Sequence, residues 1–415
     1  MSRDLACEAS VTGSEISAPG KVTSFLYLVY FIYFFCGLTQ CFEGVFLPEF
    51  KEYFHLTYQQ QMYAVFAKNI PFLGAVLLGN ILHQLGYRRC LSLAMALFAA
   101  GTLLLVPGLA TGSYKTILAG FLLIGSGFTA QMVAGNPLLN LLGPAESASS
   151  RQNLGNALGA VAQIVAPAAV SALIPAAIIS VRGKLPYMQG LFATLGLVLC
   201  AVSLLVPFFR NEATLFCNRP QQANPTFGKV WAIPSVVLGF VAIFLVLGLE
   251  AGLFSFFRNY LEEPSIAGLS SHASERLFTA YFAVFALGRL AASWIQKRVL
   301  PVMHLSWHLV AAICLLIAMI FSKGAVAVLS VLLIGFFVSM FFPTLLAMAL
   351  RAAGPLVTQA SGLLTLGFLG CAFVPLLQGK LADTFGLQRS YALGLIIYPA
   401  VLIYVRWMAA RERQA

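Results

Sequence analysis

Apolar residues gather along this chain in runs of about twenty, the length a helix needs to cross a hydrocarbon layer, with short polar punctuation between runs. Twelve runs fall at approximately 23–47, 62–82, 90–110, 115–142, 153–180, 186–209, 231–261, 277–296, 304–322, 325–350, 357–379 and 390–410. They are continuous rather than alternating at every second residue, which points to helices and away from a barrel. RNEATLFCNRPQQANPTFGK (210–229), rich in Pro, Asn and Gln, is the longest polar interior stretch and divides the runs six and six. The pattern predicts an all-α membrane protein. Its parts are a tail at 1–22, a six-helix half at 23–209, a linker at 210–230, a second half at 231–410 and a short tail at 411–415.

Composition agrees: 60% of the 415 residues are hydrophobic and 9% charged, where a soluble domain carries roughly 25% charged residues. The polar stretch before the first run is too long for a secretory signal and lacks a small-residue cleavage site, so the first run is expected to stay as an uncleaved helix. Of the cysteines, Cys36, Cys41, Cys90, Cys200, Cys314 and Cys371 fall in or at the ends of runs, where they read as small packing residues rather than a disulfide framework. With the amino terminus in the cytoplasm, loops on that side hold fourteen Lys and Arg against nine on the other, so both termini are assigned to the cytoplasm. The net charge of +11 then follows from membrane topology. Nucleic-acid binding is excluded because no basic-aromatic domain exists to carry it.

Polar groups inside apolar runs carry the candidate chemistry. Glu250, in LVLGLEAGLFSFF (245–257), lies eleven residues before Leu261, about 16 Å along a helix and near the middle of a ~30 Å core. Insertion of an acid there costs about 2.5–3.5 kcal/mol, so it requires a partner, a proton or a hydrated cavity. TQCFEGVFLP (39–48) contributes Gln40 and Glu43 near the end of the first helix, and VFAKNIP (65–71) contributes Lys68 and Asn69 at similar depth on the second. A Glu43–Lys68 ion pair is therefore expected, either structural or coupled to a substrate. GFTAQMVAGNPLLNLLGP (127–144) offers the amides of Gln131 and Asn136, with Pro137 able to kink the helix and Gly135 admitting a close neighbour. RQNLGNALGA (151–160) adds Asn153 and Asn156 and a Gly155-to-Gly159 packing face. His304 and His308 have helical ligand spacing but no third ligand, and GSGFTA (125–130) follows no strand, so neither a metal nor a phosphate site is read. No nucleophile–base pair is present, and neither enzymatic activity nor a cofactor is expected.

Taken together these residues resemble the fucose–galactose–glucose:proton symporter branch of the major facilitator superfamily over nearly the whole chain. GLEAGLFSFFRNY (248–260), ALGRLAASWI (286–295), FPTLLAMAL (342–350), SGLLTLGFLGCAFVPLLQGKLADTFGLQRSY (361–391) and GNPLLNLLGP (135–144) followed by Arg151, Asn153 and Leu154 carry the resemblance. It implies the major facilitator fold, with twelve transmembrane helices in two six-helix bundles, a central sugar site and alternating access driven by proton cotransport. The chain departs from the family pattern at coupling positions. Gly44 stands where an aspartate is usual, with Glu43 one position earlier; Met132 replaces an acid, beside Gln131. Asn156 stands for a common glutamine, Gly159 for an asparagine, and Lys68 for an aromatic residue. Glu250 matches the acid of the seventh-helix Gly-x-Glu pattern.

The expected function is secondary transport of a hexose or similar small polar solute with protons. Gln40, Gln131, Asn136, Asn156 and Asn259 would replace water on substrate hydroxyls, and Glu250, with Glu43, would bind hydroxyls or the proton. Alternatives are a carrier or exchanger for an anionic or amphiphilic solute with Lys68 as counter-charge, and a non-transporting sensor on the same scaffold. The expected partners are the solute, protons and membrane lipid, with the chain acting as a monomer.

Overall fold

Long apolar runs leave the backbone no hydrogen-bond partner but itself, and each becomes a helix. The structure, a computed structural model, describes residues 19–142, 148–175, 177–178, 180–209, 227–296 and 298–412, and every regular element among them is helical. The 1–18 part of the expected tail and residues 210–226 of the expected linker lie outside the described residues. Among the described residues, eleven helices are long and apolar enough to cross a membrane. The twelfth crossing, second in order, comes in pieces: Tyr58–Asn69, a 3-10 turn at Ile70–Gly74, and the start of Ala75–Ala110, a helix broken at Gly86 (φ 77°, ψ 159°) where only glycine sits without strain. The chain is a multi-pass membrane protein, and its exposed flanks carry Phe321, Ile396 and Ile403, as hydrocarbon contact requires.

The first crossing runs to Tyr53, and the third, fourth, fifth and sixth are 87–110, Tyr114–Leu141, Ala148–Leu173 and Val181–Leu205. The seventh, eighth and ninth are Pro234–Glu262, Ser271–Ile295 and Pro301–Phe321. Tenth and eleventh are each divided, into Gly324–Val338 with Phe341–Ala352 and Val357–Thr365 with Gly370–Phe385; the twelfth ends in Ala392–Glu412. With twelve crossings, the first described helix begins and the last one ends on the same side; the opposite side is the distal end. Four distal hairpins start their returning helices on hydroxyl caps, Thr57, Ser113, Ser180 and Ser270, which accept from amides of the first turn.

Within the first half, small residues bring backbones together. Gly37 lies against the Gly159 carbonyl, and Gly155 leaves room for the Tyr33 ring, so the glycine spacing on the fifth helix faces the first. Gly125 of GSGFTA abuts the Lys68 backbone, so that motif is a packing face. The two halves meet along three helix pairs: first with seventh, second with eleventh, and fifth with eighth. The first and seventh run in the same direction, because Gly44 meets Phe254 while Val45 and Glu49, farther along the first, meet Arg258, farther along the seventh.

Candidate functional site

Glu250 is half-buried on the seventh crossing, one turn before Phe254. The Phe254 ring occupies the space a side chain at Gly44 would need, so the position where the resemblance implies an aspartate is filled by an aromatic ring from the other bundle. Gln40, also half-buried, lies one turn before Gly44 on the parallel first crossing. Gln40 and Glu250 therefore share one depth on facing helices, just below the Gly44–Phe254 contact. No hydrogen bond or ion pair among the described residues ends on the Glu250 carboxylate, and the charge whose field reaches it is the Arg289 guanidinium.

Arg289 has its own structural task. Pro343 has no N–H to give the Ser339 carbonyl four residues earlier, and Arg289 Nε donates to that carbonyl at 3.2 Å while its guanidinium stacks 4.7 Å from the Phe285 ring. The tenth helix, expected as one run, breaks here because Pro343 leaves an acceptor open.

The other four expected amides sort differently, two of them beside a tyrosine. Tyr33 OH donates to Asn136 Oδ1 at 2.5 Å, and Gln131, 1% exposed, packs beside the Tyr33 ring across Gly135 with its Nε2 lacking a described partner. This first–fourth helix cluster brings Gln131 and Asn136 together. Asn156 is exposed on the fifth helix, next to the buried Gly155. Asn259 is buried and accepts from Gln61 Nε2 at 2.8 Å; nine residues from Glu250, it sits about 13 Å farther toward the distal end. The structure therefore gives Asn259 to the seam between bundles. Lys68 is 9% exposed; the Glu43 side chain lies outside the described residues, and so does the Glu43–Lys68 pair.

A buried ion cluster at the distal end was missing from the sequence reading altogether. Arg258 of the seventh crossing donates from Nη1 and Nη2 to both oxygens of Glu49 on the first, at 2.8 and 2.9 Å. Lys184, in the first turn of the sixth, adds a 3.0 Å contact to Glu49 Oε1. Glu262 lies 2.8 Å and Glu275 3.4 Å from Arg258 Nη2, and Arg258 Nη1 also meets the Val45 carbonyl. Nearby, Asp383 of the eleventh crossing accepts from the Tyr58 and Gln59 amides at 2.6 and 2.9 Å, a carboxylate on a helix N-terminus, while Tyr58 OH donates to Glu263 at 2.8 Å. These contacts join the bundles and close the distal end. Single charges at the ends of apolar runs gave the only signal for them, and such charges usually reach for the interface.

His304 and His308 pack edge to face with ring centroids 4.4 Å apart, and among the described residues no group of three His, Cys, Asp or Glu could hold a metal.

Residues 29–367 match the family model described as Major Facilitator Superfamily. A glucose/galactose transporter of Brucella abortus biovar 1 (strain 9-941) is 30% identical over 380 residues, spanning 90% of this chain and 91% of that protein. The L-fucose-proton symporter of Escherichia coli (strain K12) is 21% identical over 406 residues, 91% of each. Among solved structures, a bacterial homologue of the human lysosomal transporter Spinster, inward-facing and occupied, superposes with a TM-score of 0.77 at 15% identity, covering 96% of this chain and 98% of that one. That likeness concerns the fold.

Proposed function

Because the chain belongs to the Major Facilitator Superfamily, we propose that it is a secondary transporter of the bacterial inner membrane, carrying a hexose or similar small polar solute together with protons. The similar proteins named for glucose, galactose and L-fucose support the solute class, and the symporter among them supports the proton. The observation that carries the reading is Glu250: a half-buried carboxylate with no hydrogen-bonding partner among the described residues, at mid-depth, facing Gln40 across the two bundles.

Such a pair suits a polyol. A carboxylate accepts from two hydroxyls, and amides both donate and accept, so Gln40, Gln131, Asn136 and Asn156 from one bundle and Glu250 from the other can replace hydration on different sugar hydroxyls. A cavity-facing acid is hydrated while the site is open and loses that water on occlusion. A proton, or substrate hydroxyls, must then compensate, which ties closure to loading. With both termini in the cytoplasm, as the charge bias of the loops supports, the distal end faces outward and its ion cluster is the outer gate, here shut. Glu43 and Lys68 would form a buried pair beside the site. One chain supplies every residue named, so a monomer suffices.

Reconstituted protein tests this directly. Glu250→Gln keeps shape and hydrogen bonding but cannot ionise. If Glu250 carries the proton, this variant retains sugar counterflow and loses accumulation driven by a proton gradient; if it only grips substrate, both fall together. Wild-type accumulation by Glu250→Gln would leave the residue structural and turn attention to Glu43.

A further inference from the structure

The distal cluster holds more acid than base. Glu49, Glu262 and Glu275 bring three carboxylates to the two cations Arg258 and Lys184, and all but Glu262 are deeply buried. Fully ionised, the cluster carries an unmatched negative charge between two packed bundles. Buried charge without a partner is expensive enough that such a group sheds it by taking a proton.

Hydrogen bonding identifies the acid. A guanidinium has five N–H groups. Arg258 Nε serves Ser274; Nη1 serves the Val45 carbonyl and Glu49; Nη2 serves Glu49, Glu262 and Ser271. Every donor is engaged. Lys184 divides itself between Glu49 and Ser271, at 3.0 and 2.7 Å. Glu262 also accepts from the Ser274 hydroxyl and keeps 24% of its side chain exposed. Glu275 is left 3.4 Å from Nη2 with 4% of its side chain exposed, and no hydrogen bond among the described residues ends on its carboxyl.

We infer that Glu275 binds a proton when the distal gate is closed, a proton site in the seam itself and separate from Glu250. The inference rests on the transporter reading only in taking the distal end to open. The proton brings the cluster to neutrality. When the bundles part, water reaches Glu275 and the proton leaves by the distal mouth, so the site senses the pH on that side. The groups facing Glu275 are Arg258 and Glu262 from the seventh crossing, Glu49 from the first and Lys184 from the sixth. The tenth-crossing helix Gly324–Val338 brings no charge, and the fifth only Arg151 at its far end. On its own helix Arg276 is exposed, and His272 Nδ1 lies 3.2 Å from Ser171 Oγ of the fifth crossing, one turn from Glu275.

The test places spin labels at Thr111→Cys and Ser265→Cys, exposed distal-loop positions on different bundles, in full-length protein with its native cysteines replaced, in nanodiscs and sodium-free buffer. The open, long-distance population should grow as the medium is taken from roughly pH 5 to 8, by at most about tenfold per pH unit, the limit for one proton. Glu275→Gln, which imitates the protonated acid, should stay closed throughout and unfold thermally no earlier than its parent at the alkaline end. His272→Asn should keep the parent's response. A distance distribution indifferent to pH would overturn the inference, as would a Glu275→Gln that opens and melts early, since that marks an ionised partner of Arg258. Loss of the response in His272→Asn would move the proton to the histidine, and a response to sodium in place of pH would make the site one for a metal cation. The labels read the gate whichever solute is carried, so failure here leaves the transport reading standing, and absence of transport leaves this measurement intact.

Discussion

A methyl group at residue 44 would meet the Phe254 ring at less than van der Waals separation. Gly44→Ala should therefore destabilise this closed arrangement by about 1–3 kcal/mol, as overpacking does, and adding Phe254→Leu should restore part of the loss in thermal unfolding. An unchanged melting temperature would mean the ring moves aside freely. For the pair proposed between Glu43 and Lys68, Glu43→Gln or Lys68→Met alone should lower stability by leaving a buried charge, and the double variant should recover much of it; simply additive losses would refute the pair. Glu250 was legible in the sequence because a carboxylate in an apolar run is conspicuous. The absence of an acid at 44 was equally visible, but its cause was not, since the ring that fills the place comes from the other half of the chain. Asn259 read as a candidate for the solute because an amide in an apolar run does not reveal its partner; Gln61 takes it up instead.

Helix number followed from run length, whereas helix continuity did not. The tenth crossing reads as one apolar run, and its break depends on a carbonyl that Pro343 leaves open and Arg289 occupies from the eighth helix. Removing the guanidinium with Arg289→Met should cost about 1–3 kcal/mol, the usual cost of a buried acceptor left unmade, and should cost much less in a Pro343→Ala background, where residue 343 regains its N–H. Thermal unfolding of the four proteins in one detergent checks this, and equal losses in both backgrounds would exclude it. The second crossing hides its division in the same way: Pro71 and Gly74 mark a turn, yet the stacking of Phe72 on Phe368 from the eleventh crossing, centroids 5.2 Å apart, is a tertiary contact. Periodicity along one segment carries no record of it.

At the scale of the whole molecule, a multi-pass membrane protein was legible from twelve runs and one polar linker, and its transporter family from motifs such as GLEAGLFSFFRNY (248–260), while the distal ion cluster was not. Glu49, Lys184, Arg258, Glu262 and Glu275 are scattered over the chain, and each by itself is an ordinary charge at the end of a span. Only the docking of two bundles makes them neighbours. Which face of the membrane the gate occupies is open to a direct check: Cys217, in the segment between the bundles, should react with an impermeant maleimide only after the cytoplasmic side is exposed, and labelling in intact cells would reverse the orientation. The cap that Asp383 places on the second crossing has a further consequence. That helix also carries its own cap, the reciprocal Thr57–Gln60 bonds, so when Asp383 withdraws the first turn does not fray. The rest of the distal join is likewise polar, built of carboxylates, the Arg258 guanidinium, the Lys184 ammonium, amides and hydroxyls. Solvent can replace each such bond at a net difference of about 0.5–3 kcal/mol, the upper end for those to charged groups. A greasy join of the same extent would adhere, and the carrier would stall shut; a wettable one lets two rigid bodies separate and meet again many times without either coming undone.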